Sequence, residues 1–459
     1  MIHLATFQDR TTEYLLALSR DSLYRWNDVD GFELVGSPPF SNSDTDYFWT
    51  WPVDDYLMIT NGIDAVYRWS LGSGLEVDPL PNLGVTMDSA ELVIRLRGRL
   101  LYFGTTEGGQ AHPRRMRWTG ANPTYTFDSD QDWADAPSEY GPITTAGFIG
   151  ERLFVGFEAG WMEVAPTGLT AEGAALAWRP IVSLYGTLAK NATIEDVARI
   201  ITRSQAGMSA IDPNGQYPAD PEIPDLMREV DPSRGALTHG IRHDEDRAFW
   251  WAYVTQSQAS NEQDRVLVAQ YDEKSNLSWS NYLMSFLSFG KYKQKSASTW
   301  DSLPGTWDDY TAITWDSKVT SEEFPVILGG KNDGVVAYFS DANSDFGTAI
   351  QMRAITQVIQ PMGDRKSHLG WIDIYAEAVQ GQKMTLTFYD RVGGTGYKTV
   401  EVDLSPGGNE RSSKVYRRVR VGRTAFMHQI EVSVSGTEFF ALDALVPWFR
   451  EAGRVKEFG

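Results

Sequence analysis

The sequence predicts an all-β protein, a β-propeller over residues 1–345 followed by an antiparallel β-sandwich or jelly roll over 346–459. Three observations carry this reading. A unit of short strands recurs about every 43 residues. The chain is rich in large aromatics, with 16 Trp, and has no cysteine. Strand pattern and charge both change near residue 345. A repeat in this size range marks an architecture whose units cannot bury their apolar faces alone and stack to do so. Without cysteine there is no disulfide framework and no thiolate metal site, so the fold relies on packing, ring closure or association.

The repeat is clearest around two identical tripeptides. YLLALSRDSLYRWNDVDGFELV runs from Tyr14 to Val35, and YLMITNGIDAVYRWSLGSGLEV from Tyr56 to Val77. Each reads as an apolar strand, a polar turn, a strand ending in Tyr-Arg-Trp, a second turn and a closing strand. Trp26 and Trp69 lie 43 residues apart; Trp118 follows after 49 and Trp161 after a further 43. Ser37 to Asp46, rich in Pro, Ser, Asn and Asp, has turn and loop chemistry. Leu100 to Phe103 reads as a buried strand, Gly108-Gly109 as a turn, and Met116 to Trp118 as the next counterpart of Tyr-Arg-Trp. ERLFVGFEAGWMEVAPTG supplies a further strand pair.

Beyond Trp178 the pattern weakens. Thr193 to Ser204 places Ile194, Val197, Ile200 and Ile201 at a helical spacing, which reads as an insertion or a degenerate blade edge, and residues around 190–240 are expected to form a loop insertion in the propeller body. Pro218 to Gly235 carries four Pro and reads as exposed loop. Strands return in Arg247 to Val254 and Arg265 to Asp272. They return again in Val326–Leu328 and Val335–Phe339, across a Lys-Asn-Asp-Gly turn. About seven units precede residue 345, six or eight also fitting. The N-terminal strand, Ile2 to Phe7, is expected to complete the last blade. From Ile350 six longer segments alternate with period two between glycine turns, the mark of sheets buried on one face.

Charge divides at the same place. From Phe346 onward there are 15 Lys and Arg against 12 Asp and Glu; before it there are 26 against 49. An acidic body repels phosphate backbones and excludes ordinary nucleic-acid recognition. No run of about 18 apolar residues exists, so no membrane span is expected. The N-terminus lacks a secretory pattern, which predicts synthesis in a cytosol.

Catalytic motifs are missing where their context would require them: no GxSxG, P-loop or GxGxxG sits at a strand-to-helix junction. His239 and His243 have H-x3-H spacing without a third ligand, and read as a structural pair. No catalytic residue, metal or cofactor is assigned. One segment stands out, STWDSLPGTWDDYTAITWDS, in which Thr-Trp-Asp recurs around Trp300, Trp307 and Trp315. It is open to three readings: a Trp-stapled loop stabilising one blade, a contact surface for a neighbouring subunit, or a stacking platform for carbohydrate.

In combination, these features resemble the tail hub or nozzle proteins of short-tailed bacteriophages, including packaged-DNA stabilisation proteins. The resemblance rests on HPRRMRWTGANPTYTFDSDQDW from His112 to Trp133, on FIGERLFVGFEAGWMEV after it, on the repeated TWD loop, and on the basic strand RRVRVGR. It implies a virion protein assembled in the host cytoplasm as a homohexameric ring beneath the portal and adaptor. Double-stranded DNA would be retained in the ring and later conducted through its lumen, without sequence-specific binding. Trp300, Trp307 and Trp315, with Arg417, Arg418 and Arg420, are then the expected subunit-interface residues, the arginines facing the acidic body of a neighbour. Two alternatives remain: a receptor-binding, glycan-binding propeller adhesin, and a glycoside hydrolase or lyase with two converging carboxylates.

Overall fold

The computed structural model describes residues 3–8, 13–27, 30–36, 40–41, 43, 46–78, 87–121, 127, 131–169, 175–272, 276–292, 325–339, 344–345, 348–363, 365–406, 414–436 and 440–452. They divide into two compact units, Met1–Phe339 and Ser340–Gly459.

The first unit is a β-propeller, with seven blades among the described residues. Blade 1 is β1 (His3–Gln8), β2 (Glu13–Leu18), β3 (Leu23–Asn27) and β4 (Gly31–Gly36). Blade 2 is β5 (Trp49–Val53), β6 (Tyr56–Thr60), β7 (Tyr67–Ser70) and β8 (Gly74–Val77). Blade 3 is β9 (Met87–Leu96), β10 (Arg99–Glu107), β11 (Gln110–Trp118) and β12 (Trp133–Asp135). Blade 4 is β13 (Ile143–Ile149), β14 (Arg152–Phe157), β15 (Gly160–Pro166) and β16 (Leu176–Pro180). Blade 5 is β17 (Ile194–Glu195), β18 (Ile200–Ser204), β19 (Gly207–Asp212) and β20 (Gly215–Pro218). A one-turn helix, α1 (Pro224–Glu229), leads to blade 6, which is β21 (His239–His243), β22 (Ala248–Tyr253), β23 (Arg265–Tyr271) and β24 (Leu277–Tyr282). Blade 7 is described by β25 (Ser288–Tyr292), β26 (Val326–Gly330) and β27 (Val336–Tyr338). Within each sheet the strands lie in chain order and pair antiparallel.

The first strand of every blade packs against the first strand of the next, and β25 packs back on β1, so the ring closes. An apolar cluster fills each of the seven junctions. Representative residues, from the junction of blades 1 and 2 round to that of 7 and 1, are Trp69, Tyr102, Trp118, Trp161, Trp251, Trp250 and Leu4. Because a blade is covered on both faces, its middle strands lose period-two alternation. All six residues of β22, AFWWAY, are buried. The recurring Trp26, Trp69, Trp118 and Trp161 occupy the third strand of blades 1 to 4, where an indole spans the gap between neighbouring sheets.

Three expectations are corrected. Thr193 to Ser204 is not helical: Ile194 and Ile200–Ile201 lie on β17 and β18, which pair across a tight reversal where Asp196 N–H donates to the Arg199 carbonyl. Two short β-branched strands joined by such a turn mimic a helical spacing. Residues 190–240 are accordingly no insertion; most of them build blade 5 and its link to blade 6. The N-terminal strand does not complete the last blade either, since β1 pairs with β2 from His3 to Gln8 and is the innermost strand of blade 1. Ring closure rests on packing. Gly290 of β25 lets that strand approach β1, because a Cβ there would stand 2.7 Å from the Leu4 Cβ.

The second unit holds two antiparallel sheets. One runs in the order β28 (Ser344–Asp345), β29 (Thr348–Ile355), β34 (Gln429–Gly436), β31 (Lys383–Tyr389), β32 (Lys398–Asp403); the other is β33 (Lys414–Ala425), β30 (Ser367–Ala378), β35 (Phe440–Glu451). One apolar cluster draws on both, with Ile372, Ile374, Val415 and Val419 from the second and Leu386, Phe388, Ile430 and Val432 from the first. Here alternation is kept, as in Lys383–Tyr389 with Met384, Leu386 and Phe388 buried. Burying each such side chain contributes about 1.5–3 kcal/mol.

Candidate functional site

Inner strands of a propeller converge on its axis, so the residues there come from positions remote in sequence. Tyr47, just before β5, sends its hydroxyl across the ring to the Leu237 carbonyl at 3.0 Å, and Gln263 Nε2 donates to both the Tyr47 hydroxyl and the Leu237 carbonyl, at 2.5 and 2.6 Å. Residues 190–193 connect blades 4 and 5 and are tied to four blades. Lys190 forms an ion pair with Glu91 at 2.7 Å and donates to the carbonyls of Tyr47 and Asn61. Thr145 donates to the Lys190 carbonyl, Asn191 Nδ2 to the Phe48 carbonyl, and Gly240 N–H to the Asn191 carbonyl. Blades 2, 3, 4 and 6 are thus joined by polar contacts at the centre.

A cavity of about 330 Å³ opens here, its polar wall formed chiefly by His3, Thr50, Lys190, Asn191, His239 and Lys291. His3 and His239 are 6 % and 5 % exposed, with ring centroids 5.7 Å apart in an edge-to-face arrangement. Burial, aided by the Lys190 charge, lowers the His3 pKa to about 4; burial, with His3 beside it, holds His239 well below the ordinary histidine value. Both are therefore neutral at pH 7. The backbone N–H of Phe289 donates to His239 Nδ1 at 3.3 Å, which fixes the proton of the neutral ring on Nε2. His239 Nε2 and His3 Nδ1 are buried without a protein partner.

The second unit presents a different group on the outer face of its three-stranded sheet. Register aligns Arg420, Trp371 and Trp448 in one row, Arg418, Asp373 and Val446 in the next, and Tyr416, Tyr375 and Ala444 in a third. Trp371, Tyr375, Tyr416 and Trp448 are all exposed, whereas Asp373 at 3 % exposure is covered by its neighbours. Arg418 grips Asp373 with two bonds of 2.5 and 2.7 Å, and Trp448 Nε1 and the Tyr416 hydroxyl donate to the same carboxylate. Those four bonds, led by Arg418, hold the Asp373 pKa well below the usual carboxylate range.

Of the arginines singled out by sequence, Arg418 is therefore engaged within its own sheet. Arg417 donates to the carbonyls of Asp403 and Ser405, and Arg420 lies over the Trp371 ring, 5.7 Å from its centroid. Trp300, Trp307 and Trp315 lie outside the described residues. His239 and His243 do not act together: four strand residues place them about 13 Å apart, and His243 stacks on Trp250 and pairs with Asp246. In the His112–Trp133 motif, Arg115 and Arg117 both bond Glu107, Arg115 also grips Asp135 and covers the Trp133 ring, and Arg117 is 2 % exposed. Among the described residues no group of three or more His, Asp or Glu is arranged to hold a metal, and no helix is long and apolar enough to cross a membrane.

Seven radially packed sheets among the described residues, closed upon themselves, define the first unit as a β-propeller, and solved structures that align with the chain include two β-propeller domains. The WD40 β-propeller domain of Doa1 aligns with a TM-score of 0.40 at 9 % identity, over 74 % of this chain and 93 % of that one. The β-propeller domain of Cps50 (Swd1) from Myceliophteria thermophila aligns with a TM-score of 0.36 at 12 % identity, over 55 % and 80 %. No protein-family model and no curated protein matches the sequence.

Proposed function

We propose that this chain is a structural virion protein, the tail hub or nozzle of a short-tailed bacteriophage. In this reading six copies form a ring that contacts the portal and adaptor, retains packaged DNA and conducts it during ejection. The lumen belongs to the assembled ring and not to the propeller axis, where side chains from opposite blades meet. One structural observation carries the reading: the exposed Trp371, Tyr375, Tyr416 and Trp448 face, with Arg418 and Arg420 among the rings. Trp, Tyr and Arg are the residues that dominate binding energy at protein interfaces. Asp373 fixes this face in place without itself offering free hydrogen-bonding capacity, which suits docking of a rigid partner surface. The net charge of −20 supports conduction over retention by binding, since an acidic wall gives DNA no strong site.

A second reading uses the same indoles: adjacent exposed Trp371 and Trp448 are also a platform on which sugar rings stack, as in a receptor-binding adhesin. Negative-stain microscopy of the purified chain and of its parent particle separates the two. Six-fold rings with a central opening support the nozzle. Monomers or trimers that are retained by immobilised glycans overturn it in favour of the adhesin.

A further inference from the structure

The axial cavity of the propeller is built like a ligand site. Two imidazoles, each more than nine-tenths buried, leave His3 Nδ1 and His239 Nε2 without a protein partner, and both residues line the same cavity. Leaving buried polar atoms unsatisfied is costly, so such atoms mark either ordered water or a ligand group. The chemistry of His239 narrows the choice. Its Nδ1 accepts from Phe289 N–H, so Nε2 carries the hydrogen and has no lone pair for a metal ion; it can only donate. The charged side chains on the cavity wall are Lys190 and Lys291, while their carboxylates, Glu91 and Asp244, bond them from outside the lining. The wall therefore offers a fixed donor beside two ammonium groups whose carboxylate partners stand behind them.

We propose that this cavity binds a small oxyanion, the carboxylate or phosphate group of a compact metabolite-sized ligand, with His239 Nε2–H as the positioned donor and Lys291 as the adaptable one. Lys190 is already saturated by Glu91 and two carbonyls. Water, the ordinary occupant of a polar cavity, satisfies the same donor, but an anion bonds the Lys291 ammonium more strongly than water does. The cavity is bordered by blades 1, 2, 6 and 7 and by the 190–193 connection, so an occupied site ties these together and stiffens the closed ring.

The test uses the full-length chain, isothermal titration calorimetry and thermal unfolding, with inorganic phosphate and acetate as separate probes and sodium chloride at matched ionic strength as the control. The expected result is saturable 1:1 binding of at least one probe and a rise in Tm beyond that given by chloride. Preference for phosphate or acetate tells which oxyanion the site takes. His239→Phe keeps a ring in the slot but removes the donor, and is expected to weaken binding about tenfold or more. Lys291→Met, at a partly exposed position, is expected to weaken it by a smaller factor; if His239→Phe does not fold, this variant decides. Equal effects of chloride and both oxyanions, or unchanged affinity in the variants, overturn the site while leaving the assembly reading untouched.

Discussion

Both units set a polar centre among aromatic rings, and they do so in opposite ways. In the propeller the centre lies on the axis, buried, with His3 and His239 each keeping one nitrogen unpartnered. In the second unit Asp373 sits on the outer face of a sheet, where three neighbouring side chains saturate it and the rings around it stay exposed. An unsatisfied centre awaits a small group, whereas a saturated one stiffens the surface that covers it. The difference follows from topology. Inner strands of the propeller converge on the axis, so polar groups there face a shared cavity rather than a partner in their own sheet; a two-sheet unit leaves its outer faces to solvent, so a polar group can be roofed by its own neighbours.

The largest test of this contrast compares carboxylates. Glu107 lies between Arg115 and Arg117, whose side chains are 10 % and 3 % exposed. Burial alone would raise the Glu107 pKa, yet the bonds from Arg117 and Thr105 and the two guanidinium charges bring it below the usual value. Glu107→Ala removes the carboxylate that two buried arginines share, leaving Arg115 with Asp135, and is expected to cost about 3 kcal/mol in urea unfolding. Asp373→Ala is expected to cost less, because the Arg418 side chain is 51 % exposed and rehydrates. The reverse order would break the comparison.

Next comes pH. The His3 pKa is about 4 when folded against 6.5 for the free side chain. The unfolded chain then binds more protons than the native one between those values, so this group leaves stability intact above pH 6.5, lowers it as pH falls towards 4, and adds no further loss below. The full effect is about 3 kcal/mol. Denaturant midpoints measured from pH 7.5 to 4 should show the slope, and His3→Phe should reduce it whatever its own stability.

Ring closure gives a smaller effect. Gly290→Ala sets a methyl against Leu4 where β25 meets β1, and a cost of about 1–3 kcal/mol is expected, readable in thermal unfolding. Least of all in stability is Trp371→Ser. Its ring is exposed, so the change should stay within about 0.5 kcal/mol, while the association that we assign to that face should weaken measurably in sedimentation velocity.

Much of the propeller was legible. Trp26, Trp69, Trp118 and Trp161 announced the third strand of four successive blades, because the same gap between sheets calls for the same large ring. Blade 5 was not, since Ile194, Val197, Ile200 and Ile201 fit a helix as well as two short strands, and only the pairing of Ile194 with Ile201 decides. The axial site was invisible for a different reason. His3 and His239 are brought together by closure of the ring, and no local pattern encodes a contact between the first blade and the sixth. A spacing rule instead drew attention to His239 with His243, which a strand carries apart. On the second unit the alternation of Arg418 and Arg420 was readable, but not that Asp373 of a neighbouring strand claims the first of them.

The account stands most directly on the state of the free, full-length chain in solution. Mass photometry at physiological salt should find a species of six times the subunit mass, which Trp371→Ser together with Trp448→Ser returns to smaller forms. A wild-type chain that stays monomeric at micromolar concentration, and equally in the parent particle's extract, would contradict it.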